Sequence, residues 1–118
     1  MMTGMVAELP PLIQALLDPA SYPGDVVRVE LMQTHISWVL LAGDFAYKIK
    51  KPVKLSFLDF STLDLRQKFC REELRLNRRF APDLYLEVVG IYNTPQNPQW
   101  QGPGVAIEYA VKMRRFEE

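Results

Sequence analysis

Residues 61–83 read STLDLRQKFCREELRLNRRFAPD, and this stretch decides the fold. Its apolar side chains recur at Leu63, Leu65, Phe69, Cys70, Leu74, Leu76 and Phe80, the period of an amphipathic helix. Ser61 is a good N-cap with Asp64 three residues on, and Ala81-Pro82-Asp83 stops the pattern. A helix is therefore expected from Leu63 to Phe80. At about 100° per residue from Leu63, Leu65, Phe69, Leu76 and Phe80 fall between about 200° and 260°, and Cys70 and Leu74 at about 340° and 20°. The apolar sector is centred near about 290°, with Glu73 in its middle at about 280°, Asn77 inside it and Glu72 on its edge. A carboxylate on a buried face needs a cation, because an unpaired buried charge costs several kcal/mol.

Working outward, Phe45 to Val53 alternates Tyr47 and Ile49 against Lys48 and Lys50 and stops near Pro52. As the last strand before the helix it offers two lysines on one face, and either can pair with Glu73. Such a pair suits a structural role and a functional one equally. Two strands precede it, Val26 to Leu31 and Ile36 to Leu41, with Gly43-Asp44 as the tight turn into the third. Two follow the helix, Leu86 to Tyr92 and Val105 to Met113. Between them Asn93 to Gly104, rich in Asn, Gln, Pro and Gly, reads as a long mobile hairpin loop with Trp100 at its tip. Near the start, Pro10-Pro11 opens a short helix carrying Leu12, Ile13, Leu16 and Leu17, which Asp18-Pro19 closes; residues 1–7 read as a frayed end. The expected architecture is α+β: a five-stranded, largely antiparallel sheet with one long helix between strands three and four, plus a short N-terminal helix. Residues 1–25 hold that helix and its loop, and 26–118 the sheet.

The chain has 118 residues, enough for one domain, with 14 Lys+Arg, 14 Asp+Glu, one His and one Cys. One cysteine allows no disulfide within the chain. Zinc sites of four cysteines, paired cysteines and histidines, or three histidines cannot be assembled either. A Ser-His-Asp or Cys-His enzyme would rest on His35 alone. The zero net charge conceals a division: residues 48–79 hold ten Lys/Arg against four Asp/Glu, and the rest hold four against ten. The first cationic residue is Arg28, so the start lacks the basic region of a signal peptide. The longest apolar run, Ile36 to Ala42, is interrupted by Ser37 and falls far short of the ~20 residues of a spanning helix. These features lead us to expect a cytoplasmic setting, no membrane, and Cys70 as a packing residue.

Four runs carry a family resemblance: THISWVLLAGDFAYKIKKPV (34–53), FLDFSTL (57–63), CREELRLNRRFAPDLYL (70–86) and EYAVKMRRF (108–116). Together, across roughly residues 12–116, the chain resembles aminoglycoside-phosphotransferase-like bacterial proteins often fused ahead of a P-loop ATPase domain. The resemblance implies a protein-kinase-like N-terminal lobe that binds ATP with magnesium. It implies that Lys48, with Lys50 as the alternative, contacts the α- and β-phosphates, and that Glu73 holds the lysine. The turn around Thr34, His35 and Ser37 takes the place of the Gly-rich loop, although it contains no glycine. The segment from Lys112 through Met113 and Arg114 to Phe116 corresponds to the hinge that meets adenine. The catalytic-loop H-x-D is absent, since the only His is His35, followed by Ile36-Ser37. Asp59-Phe60-Ser61 looks like a metal-binding motif but lies before the helix and reads as its entrance. No residue of this chain is assigned as catalytic or as a metal ligand. The chain alone is expected to be inactive, its partner being a second lobe or a fused domain.

The other functional class is a non-enzymatic interaction module. Lys68, Arg71, Arg75, Arg78 and Arg79 gather between about 60° and 160° of the wheel, a stripe that fits an acidic partner or, with less support, nucleic acid. No aromatic residue interleaves it to stack bases. A bare surface at Val111, Met113 and Phe116, normally covered by a second lobe, is expected to favour a homodimer.

Overall fold

A computed structural model describes residues 9–115. The expectations for residues 1–7 and for Phe116 lie outside the described residues. The chain runs through helix α1 (Pro11–Leu16), a 3-10 turn (Pro19–Ser21) and strands β1 (Val29–Gln33), β2 (Ser37–Ala42) and β3 (Phe45–Lys50). A two-stranded ribbon follows, β4 (Lys54–Leu55) and β5 (Leu58–Asp59), and then helix α2 (Leu63–Asn77). Strands β6 (Tyr85–Thr94), β7 (Asn97–Gln99) and β8 (Glu108–Arg114) complete it.

Six of these strands form one curled antiparallel sheet in the order β1-β2-β3-β8-β6-β7. The expected five-stranded sheet with its helix between strands three and four is therefore corrected. The sheet has a sixth strand, and the β4–β5 ribbon places α2 after the fifth strand of the chain. The kinase-like lobe implied by the resemblance is not the architecture observed. Both departures arise in segments too short to show a period-two pattern. In the Asn93–Gly104 segment, Asn93 adopts φ 79° and its side-chain amide donates to the Asn97 carbonyl, turning β7 back onto β6. Trp100 is correspondingly no mobile tip. Its ring lies 4.5 Å from that of Tyr47 and 5.5 Å from that of Tyr22.

Alternation places the two sheet faces in different surroundings. Trp38, Leu40, Tyr47, Ile49 and Ala110 form the main core with Ile13 and Leu16 of α1 and the buried Tyr22. The Tyr22 hydroxyl donates to the Leu16 carbonyl, tying the N-terminal segment to itself. Gly43 at φ 62° supplies the β2–β3 turn, as its place in a two-residue hairpin demands. On the opposite face, Ala46, Val111 and Met113 meet α2 through Cys70, the one fully buried side chain of that helix. Val111 and Met113 are thus buried within the chain, which removes them from the bare surface expected to drive dimerisation. The apolar exposure of α2 is at Leu76 and, just past the helix, Phe80. The cap also differs from expectation: the Thr62 hydroxyl accepts from Leu65 N–H, while Ser61 donates to the Asp59 carboxylate. The helix ends at Asn77, three residues before Phe80.

Candidate functional site

Besides the apolar contact around Cys70, two ion clusters join α2 to the sheet. Lys48 and Lys50 project from the same face of β3, because successive side chains alternate. Glu73, on the turn of α2 above them, accepts from both: Lys50 Nζ at 2.7 Å on Oε1 and Lys48 Nζ at 3.1 Å on Oε2. The open choice between the two lysines resolves into a shared carboxylate. Burial alone would raise the Glu73 carboxyl, but the hydrogen bond and charge of Lys50, then those of Lys48, outweigh it, and the group is held below its ordinary value. Lys50 is buried and its Nζ also lies 4.9 Å from the centre of the Phe60 ring. The Lys48 side chain keeps 32% of its exposure. Three charges sum to one excess positive charge, and Lys48 is where that charge meets solvent.

Lys48 lines a groove of about 720 Å³, within the ~300–1,000 Å³ range of ligand pockets. Val39, Leu41, Ala46 and Met113 give it an apolar sheet floor. Thr34, His35 and Ile36 of the β1–β2 turn border one part, and Leu55 and Phe57 of the ribbon border another. The turn needs no glycine because hydroxyls organise it. Thr34 Oγ1 accepts from Ser37 N–H at 3.0 Å and Ile36 N–H at 3.2 Å, and lies 2.9 Å from the buried Ser37 hydroxyl. A second depression, about 740 Å³, lies between α1 and β7, but no Lys, Arg or His lines it. For an anionic ligand the groove at Lys48 is the better site.

Of the residues singled out in the sequence, the structure brings Lys48, Lys50 and Glu73 together and sets Thr34, His35, Ser37 and Met113 around the same groove. Lys112 belongs elsewhere: it pairs in register with Tyr47, and its Nζ sits 4.2 Å from the Phe45 ring centre on the α1 side of the sheet. Arg114 is exposed, with its backbone N–H donating to Leu84. The groove's C-terminal cation is instead Arg115, whose N–H is likewise committed, to Asp44.

Sequence reading missed a second buried ion pair. Arg66 Nε meets both oxygens of Glu108, at 3.1 and 3.2 Å, and Arg66 Nη1 donates to the Phe60 carbonyl at 2.9 Å. Burial raises the Glu108 carboxyl, and Arg66 only partly offsets this. Arg66 lies at about 300° on the same wheel that exposed Glu73, so the signal was present. The Cys70 thiol, between the two clusters, is pushed up to about 11 by burial. Among the described residues no group of three His, Cys, Asp or Glu could hold a metal, and no helix is long and apolar enough to cross a membrane.

No family model matches the chain, and no solved structure does. It is similar to three mycobacterial proteins: uncharacterized protein Rv2004c of Mycobacterium tuberculosis H37Rv, MT2060 of M. tuberculosis CDC 1551, and Mb2027c of M. bovis. Each is 37% identical over 90 residues, which is 76% of this chain and 16% of the relative. The chain spans about a sixth of the length of these curated relatives, matching one segment of much longer proteins.

Proposed function

We propose that the groove at Lys48 binds the polyphosphate of a nucleotide, and that the chain is the nucleotide-binding part of an aminoglycoside-phosphotransferase-like small-molecule kinase. One observation carries this reading. A carboxylate shared by two lysines leaves one positive charge in excess, and the half-open lysine of the two borders a ligand-sized groove. The second lysine also stabilises the buried carboxylate, but it is one cation more than neutrality requires. Glu73 fixes both ammonium groups in advance, so that little side-chain freedom is lost when phosphate oxygens arrive. Lys50 is buried and serves to hold Glu73, while Lys48 meets the phosphates.

ATP fits the donor set on this account. Magnesium, which the resemblance implies, would need carboxylates from outside this cluster, since the only one in it is occupied by two lysines. The transfer itself needs a general base that this chain does not supply in an H-x-D motif, so we expect no turnover from the 118 residues alone. A single unpaired, buried cysteine fits a reducing cytoplasm. Calorimetric titration with ATP tests the reading. The wild-type chain is expected to bind, and Lys48→Ala to bind at least about tenfold more weakly, as loss of a charge-assisted phosphate contact requires. Equal ATP affinity in Lys48→Ala, or no binding by the wild type, rejects it.

The basic face of α2 favours a second reading, a module that docks an acidic partner. Lys68, Arg71, Arg78 and Arg79 are exposed and form no ion pair among the described residues, whereas Arg75 pairs with Glu72 at 2.9 Å. Capture of a partner that is lost when Arg75, Arg78 and Arg79 become Glu supports it; indifference to those changes removes it.

A further inference from the structure

The β4–β5 ribbon presents a chemically odd pair of side chains. Phe57 is 80% exposed and Leu55 41%, although both border the same groove as Lys48. Phe57 sits in the connection between two-residue strands and is packed into neither hydrophobic cluster. An aromatic ring exposed beside an apolar floor offers a face against which a flat apolar group gains by being buried. The charge at Lys48 states what else that ligand carries, since an anion is drawn to the excess ammonium.

The usual means of reading a base by its edge are weak here. The floor side chains Val39, Leu41, Ala46 and Met113 offer no strong donor or acceptor. The backbone N–H groups of Arg114 and Arg115, next along from Met113, already donate to Leu84 and Asp44. Polar side chains belong to the border, at Thr34, His35 and Arg115; what the floor and the ribbon can engage is the π face, which every base possesses.

We propose that Phe57 is the ring that stacks on the base of the bound nucleotide, so that this groove recognises a planar base by stacking and scarcely distinguishes adenine from guanine. The proposal rests on the nucleotide reading above and adds to it a base-contacting residue and a ligand class, purine nucleotides in general. Ribbon and lysine then divide the ligand between them, the base going to Phe57 and the phosphates to Lys48.

The test is calorimetric titration of the 118-residue chain with ATP, GTP and inorganic tripolyphosphate, in the wild type, Phe57→Ala, Phe57→Tyr and Lys48→Ala. Phe57→Ala is expected to weaken ATP and GTP alike by about tenfold, as loss of base–aromatic stacking does, and to leave tripolyphosphate within about twofold. Phe57→Tyr should restore nucleotide affinity, and Lys48→Ala should weaken all three ligands. ATP and GTP should differ by less than about threefold in the wild type, because stacking is base-tolerant. Unchanged ATP affinity in Phe57→Ala overturns the role of Phe57 while leaving the nucleotide reading in place. A loss of tripolyphosphate binding equal to that of ATP also overturns it, since the substitution would then be disturbing the groove as a whole. A wild type that takes up neither ATP nor tripolyphosphate overturns the nucleotide reading and this one together. Because Phe57 is exposed, Phe57→Ala should keep the wild-type urea midpoint, which separates lost stacking from lost folding.

Discussion

Helix α2 meets the sheet through two ion clusters that differ in charge balance and in exposure. Arg66 and Glu108 are one cation and one anion, with side chains only 12% and 10% exposed, and the guanidinium also satisfies the Phe60 carbonyl. The Glu73 cluster has two cations for its anion and keeps one of them at 32% exposure. The first is closed and neutral, with no charge in excess for a ligand. The second is overcharged and open on one side. The same interface thus carries a structural bond and a candidate binding group, and charge balance, more than burial, tells them apart.

The largest effect should come from breaking the closed pair. Arg66→Ala leaves Glu108 buried without its cation, which is expected to cost about 3–5 kcal/mol in urea unfolding. Glu108→Gln should cost less, since that carboxyl is already raised toward its neutral form. Glu73→Gln comes next, at about 2–3 kcal/mol: it strands the buried Lys50, which keeps the Phe60 ring as a partial substitute. If Arg66→Ala proves milder than Glu73→Gln, the assignment of the structural role to Arg66 fails.

The two carboxyls should also respond to pH with opposite sign. Glu73 is held below its ordinary value of 4.5, so the unfolded chain binds more protons there, and its stabilisation is present above 4.5 and lost as pH falls below it. Glu108 is raised above 4.5, so the folded chain binds more protons, and stability falls as pH rises through the window just above 4.5. Urea midpoints measured from pH 4 to 6 should therefore rise more steeply with pH in Glu108→Gln than in the wild type. In Glu73→Gln the rise below 4.5 should be smaller, the exposed Glu30, Asp59 and Glu72, also held low, keeping part of it. Parallel profiles in all three proteins would sink this difference between the clusters.

How much of this was legible follows from the same residues. Glu73 was readable because an acid at about 280° stands out against Phe69, Cys70 and Leu74, and strand alternation put both lysines opposite it. Arg66, at about 300°, was equally readable, but a long side chain on an apolar face is readily taken to reach solvent. Its partner was not readable. Alternation assigns Glu108 to the α1 side with Ala110, yet its carboxylate meets α2. Strand β7 and the ribbon were lost for a different reason, since two or three residues cannot display a period of two. With the ribbon went Phe57, and with that residue one wall of the groove.

Within the two clusters, the smallest change in stability belongs to the residue on which the functional contrast depends. Lys48→Ala removes the more exposed member of the overcharged cluster and leaves Glu73 paired with Lys50 at 2.7 Å. The remaining pair is neutral, like Arg66–Glu108, so the substitution should cost less than about 1 kcal/mol. The same substitution should remove most of the affinity for polyphosphate, because it removes the excess charge. Lys50→Ala should add to this a larger loss of stability, from the buried position, with Lys48 still paired to Glu73 but no longer in excess. Tripolyphosphate binding should then fall in both variants while only Lys50→Ala unfolds early. A Lys50→Ala chain that binds tripolyphosphate as tightly as the wild type would mean that Lys48 acts alone, and that charge balance is not what separates the two clusters.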